Sequence, residues 1–126
     1  MPLCFFVSDQ EADCMDKTLT TERVLRALGV TGKLLGFRYT IYMIERVMES
    51  QDRILLITKS LYPEAARHFG VTASSVERAL RTLIHVCWER TGHSFLEHIA
   101  GTPLGRVPTN SEFLDIVAAY LKRMKQ

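Results

Sequence analysis

Between positions 62 and 81 the chain gathers Ser74, Ser75, Glu77, Arg78 and Arg81, with Thr82 just beyond. Arginine offers a fork of donors that can pair with two acceptors on a guanine edge, and glutamate can accept from the cytosine amino group. Side chains of these types on one outward stripe of a helix are equipped to read bases by hydrogen bonding. Covalent chemistry is poorly provided for. The sequence has no glycine-rich phosphate loop, nucleophile elbow or HExxH, so no enzymatic activity is expected. His68, His85, His93 and His98 lack the spacing that would gather them with a cysteine or carboxylate around zinc, and no metal or cofactor is expected.

These side chains need a rigid mount, and the surrounding residues have the layout of a helix-turn-helix. Two steeply crossing helices require a small residue at the crossing, a turn glycine able to take positive φ, and apolar residues on both sides. Ala66, Gly70, Val71, Val76 and Ala79 stand at those places. Pro63 suits the first turn of the leading helix, where its missing N–H costs nothing. The second helix starts near Thr72, capped by Thr72 itself or by Ser74, whose spacing to Glu77 makes a capping-box pattern.

Along this second helix Val76, Leu80, Leu83, Ile84 and Cys87 fall on one side. Leaving that stripe wet would forfeit roughly 25 cal/mol per square ångström, so it must face a core. The opposite side holds Ser74, Ser75, Arg78, Arg81, Thr82 and His85, with Glu77 at its border. A polar helical stripe is by default only a solvated face. Here cap, turn glycine, small crossing residue and apolar stripe coincide, which points to a helix for the major groove of double-stranded DNA. Glu77 and Arg78 are expected to read bases. Arg81, a turn further on, is better placed for phosphate, and Lys59 joins the expected contact set. Glu77 and Arg81 also form an i,i+4 pair of a kind worth a few tenths of a kcal/mol.

The remaining segments supply an all-α frame of about six helices in one compact domain, residues 20–126, preceded by an arm, residues 1–19. The first helix carries Val24, Leu25 and Leu28, is capped by Thr20 or Thr21, and ends at Gly29. After the punctuation of Gly32 and Gly36, the second repeats Tyr39, Tyr42, Met43, Val47 and Met48 and should be largely buried. Ile54 to Ile57, with a β-branched residue at each end, could suggest a strand, but no partner strand exists, so a helical turn or connector is expected. Helices follow over 60–69, 72–90 and 94–100, and Asn110 or Ser111 caps the last. Gly101 to Pro108 reads as the one loop long enough to be mobile. Trp88 is expected to fill the core rather than to stack on bases. The basic tail around Lys122 and Arg123 suits a helix end and could also touch phosphate.

Bulk composition sets outer bounds. A chain of 126 residues, 47% hydrophobic, can build one ordinary core. Sixteen Lys+Arg against fourteen Asp+Glu leave a net charge of +2, so any basic surface must be local. Three cysteines, Cys4, Cys14 and Cys87, show no CxxC pairing and fit a reduced, cytoplasmic setting. No run approaches the ~18 apolar residues of a membrane span, and no membrane partner is expected.

The segments Ile57-Thr58-Lys59-Ser60-Leu61-Tyr62-Pro63, Thr72-Ala73-Ser74, Val76-Glu77-Arg78-Ala79 and Pro108-Thr109-Asn110-Ser111-Glu112-Phe113 resemble the C-terminal effector domain of the stage-zero sporulation protein A family. The resemblance runs from about Thr20 to the C-terminus. It implies a six-helix fold, a cytoplasmic transcription regulator, and binding to short DNA boxes, often as tandem copies or a homodimer. It also implies activation through the sigma subunit of RNA polymerase. By the same resemblance Glu77, Arg78 and Arg81 match positions of the recognition helix. Two departures stand out: Ser75 replaces an arginine of the family pattern, and Thr82 replaces a frequent histidine. The preferred box should change accordingly. Family members also carry a phosphorylatable receiver, for which the first nineteen residues leave no room, so control by phosphorylation of this chain is not expected. The alternative expectation is a protein-interaction module that modulates a full-length regulator or RNA polymerase.

Overall fold

The computed structural model describes residues 20–90 and 92–124, and among them every regular element is helical. Helix α1 covers residues 20–27. It is followed by α2 (Gly36–Glu49), a single turn α3 (Asp52–Leu55), α4 (Tyr62–Phe69), α5 (Ala73–Glu89), α6 (Gly92–Ala100) and α7 (Asn110–Met124). The expected all-α architecture is therefore correct, with one short helix more than the spacing suggests. The stretch from Ile54 to Ile57 ends α3 and opens a wider π turn over Ile57–Leu61 that runs directly into α4. The expected arm, residues 1–19, lies outside the described residues. None of the described helices is long and apolar enough to cross a membrane.

The core is built from one face of nearly every helix. Leu25 of α1 and Leu28 just after it, Met43, Ile44 and Val47 of α2, and Leu80, Leu83 and Ile84 of α5 are sealed from solvent. They meet Leu96 and Ile99 of α6, and Phe113, Leu114, Val117 and Leu121 of α7. Helix α2 packs against both α7 and α5, while α4 lies on α5. Trp88 is partly buried against this core and stacks on His93 with ring centroids 4.2 Å apart, as a filler rather than a free platform. Cys87 is a buried free thiol, pushed up to about 12 by its burial.

Two local details differ from the sequence-based expectations. Gly36 opens α2 instead of merely punctuating the chain before it. A Cβ there would stand 2.6 Å from the Ala79 carbonyl oxygen, so α2 and α5 touch backbone to backbone. The cap of α7 is Thr109, not Asn110 or Ser111. Thr109 Oγ1 accepts from the Glu112 N–H at 3.2 Å, and Glu112 Oε1 accepts from the Thr109 N–H at 2.9 Å, a reciprocal capping box. Glu112 also pairs with Arg106 at 3.2 Å. Together with the Leu104 N–H bond to Glu97 Oε2 at 2.7 Å, this ties down the loop expected to be mobile.

Candidate nucleic-acid interface

Helix α4 ends because Gly70 adopts the left-handed region, φ 69° and ψ 36°, and the N–H groups of Gly70 and Val71 both donate to the Ala66 carbonyl. The chain then extends through Thr72, φ −91° and ψ 157°, and re-enters a helix at Ala73. Thr72 is the cap left open between two residues by the sequence. Its Oγ1 accepts from the Ser75 N–H at 3.1 Å and donates to Ser75 Oγ at 2.9 Å. Orphan N–H groups and the positive end of the helix dipole accordingly gather at the start of α5.

The leading helix is anchored from three sides. Glu64 of α4 pairs with Arg53 of α3 and accepts from the Tyr42 hydroxyl of α2 at 3.2 Å. On the far side Tyr62, buried at the start of α4, accepts from Asn110 Nδ2 at 2.9 Å. The same Asn110 amide donates to the backbone carbonyl of Glu77 at 3.3 Å. One side chain of α7 thus fastens both helices of the motif. Burial raises the Tyr62 phenol above its ordinary value.

On α5 the five apolar positions, Val76, Leu80, Leu83, Ile84 and Cys87, are all buried. Ser74, Ser75, Arg78, Arg81, Thr82 and His85 are all exposed. The face divides into two flanks. Glu77 and Arg81 pair at 2.9 Å and lie beside Tyr62, Pro108, Thr109 and Asn110. Ser75, Arg78 and Thr82 lie on the other flank, against Leu34, Leu35 and Gly36. Arg78 makes no ion pair among the described residues, whereas Arg81 is engaged with Glu77. His85 extends the stripe, its Nδ1 donating to the Arg81 carbonyl at 3.0 Å. Lys59 is exposed on a different element, the Ile57–Leu61 turn.

The sequence missed two participants. Asn110 reads as a cap, and nothing local announces its bonds to residues 33 and 48 positions away. Leu35 carries no signal of its own in the sequence, and its place beside α5 follows from the Gly36–Ala79 contact. No group of three or more candidate metal ligands exists among the described residues.

Residues 21–121 match the family model described as Sporulation initiation factor Spo0A C terminal. That match takes in α1 from its second residue, all of α2 to α6 and most of α7, including the whole α4–turn–α5 unit. The chain belongs to this family of DNA-binding domains that regulate transcription in sporulation.

Proposed function

We propose that the chain is a sequence-specific regulator that enters the major groove of double-stranded DNA with the exposed face of α5. Arg78 and Glu77 read base edges, Ser74, Ser75 and Thr82 supply shorter polar contacts, and Arg81, Thr72 and Lys59 take phosphates. The observation that carries this reading is the complete division of α5. Its apolar stripe is sealed in the core, and the unpaired Arg78 projects from the opposite side. A helix held so firmly can be docked without reorganising, and its N-terminal turn favours the negative charge of the backbone. Contact with the sigma subunit of RNA polymerase, and tandem or dimeric occupancy of DNA, belong to the same proposal and rest on family membership. Selection of bound sequences from random duplex DNA tests it. Enrichment of one short box, with binding that weakens steeply as salt rises, is expected. Recovery of no common sequence overturns it.

One observation favours a second reading. Leu55 and Leu56, at the end of α3, are 81% and 53% exposed, an apolar pair a protein partner could cover. Strong DNA binding with no protein co-purifying would exclude that role as the primary one.

A further inference from the structure

Leu35, immediately before α2, is 69% exposed. It is not a loose linker residue. The next residue, Gly36, is pressed on the Ala79 backbone so closely that even a methyl group would not fit. The backbone that carries Leu35 is therefore fixed against α5. Leu34, Leu35 and Gly36 form one wall of a shallow depression of about 320 Å³, and Ser75, Arg78, Ala79 and Thr82 form the other. The depression exists because Ser75 and Thr82 are short and Ala79 is smaller still. Its surroundings are unlike those of an adventitious apolar patch: Arg78 stands at the rim, and the depression is continuous with the exposed face of α5.

On the reading of α5 as a groove probe, we infer that this depression is a specificity site for the thymine C5-methyl group, with Leu35 as its apolar wall. The major groove displays a single apolar group on its floor, that methyl, and aliphatic side chains recognise it by contact. Leu35 and the Thr82 methyl offer the aliphatic surface, while the Ser75 and Thr82 hydroxyls can meet the neighbouring O4 acceptor. Arg78 at the rim is then within reach of the base edge next to that methyl. A depression lined by one arginine and no carboxylate suits a nucleic acid better than a cationic or purely apolar partner.

The test replaces each thymine of the selected duplex in turn with deoxyuridine, which removes the methyl and nothing else. Affinities are measured for the unaltered chain and for Leu35→Ala. Because Leu35 is exposed, Leu35→Ala should keep its thermal melting point, and circular dichroism checks this. The expected result is one position, at the flank facing α2, where deoxyuridine weakens binding by the unaltered chain roughly three- to five-fold, the worth of one buried methyl. In Leu35→Ala the same replacement should have almost no effect. Deoxyuridine costs that are equal in the two proteins, or a selected site without any methyl-dependent position, overturn the assignment of Leu35 while leaving α5 as the reading helix. Loss of all selective binding in the unaltered chain would instead overturn the groove reading, and this site with it.

Discussion

Gly36 and Ala79 meet with no room for a side chain between them: a Cβ on Gly36 would lie 2.6 Å from the Ala79 carbonyl oxygen and 2.9 Å from its carbon. Both neighbours in that contact are backbone, which cannot swing aside as a side-chain end would. The contact fixes the start of α2 along the flank of α5 that carries Ser75, Arg78 and Thr82.

Gly36→Ala should therefore lower stability by about 1–3 kcal/mol, the usual range for overpacking, in urea denaturation followed by circular dichroism. Gly32→Ala is the control. Its Cβ would come no closer than 3.7 Å to Arg26, an ordinary contact, and the change should be small.

Asn110 joins α7 to both helices of the α4–α5 unit through the Tyr62 hydroxyl and the Glu77 carbonyl. Asn110→Ala leaves those groups short of a partner and should cost about 1–3 kcal/mol. Tyr62→Phe removes one of the two bonds from the other end. In a double-mutant cycle the pair should couple by roughly 0.5 kcal/mol or more, as residues in one network do. Strict additivity would show that the bond contributes nothing of its own.

Much of this arrangement is legible in the sequence wherever it depends on local rules. The 3.6-residue period placed Val76, Leu80, Leu83, Ile84 and Cys87 inward, and the turn glycine and Thr72 mark the break between α4 and α5. What stayed hidden depends on contacts distant along the chain. Gly36 looks like any loop glycine until Ala79 is seen against it. The cap of α7 is a local matter by contrast: Thr109 takes it, not Asn110, because its three-residue spacing to Glu112 closes a capping box that the sequence already carries. The π turn over Ile57–Leu61 has no periodic signature at all over five residues.

Glu112 gives the fold a pH dependence of known sign. The Thr109 N–H and the Arg106 guanidinium favour its carboxylate and hold it below the ordinary value of 4.5. A carboxyl lowered in the folded state contributes stability above its unfolded value and loses it as pH falls through the folded value. Thermal melting should therefore decline on acidification below about 4.5, and Glu112→Gln should flatten part of that decline. The effect is modest because the pair is exposed to solvent.

Glu77 holds Arg81 at 2.9 Å on the face assigned to DNA. Glu77→Gln removes a negative charge and frees Arg81 for a phosphate. Affinity for non-specific duplex should rise, and the slope of log affinity against log salt should steepen by roughly one contact's worth, about 0.9. Preference for the selected box should fall at the base pair Glu77 reads.

On the proposed function, Arg78 reads sequence and does not merely supply charge. The direct test is fluorescence anisotropy of the unaltered chain and Arg78→Ala on the selected duplex and on its single-base-pair variants at fixed salt. Arg78→Ala is expected to lose discrimination at one base pair by roughly 5- to 150-fold, equivalent to about 1–3 kcal/mol, while the other positions keep theirs. A uniform loss of affinity, with the preference at every base pair unchanged, would contradict it.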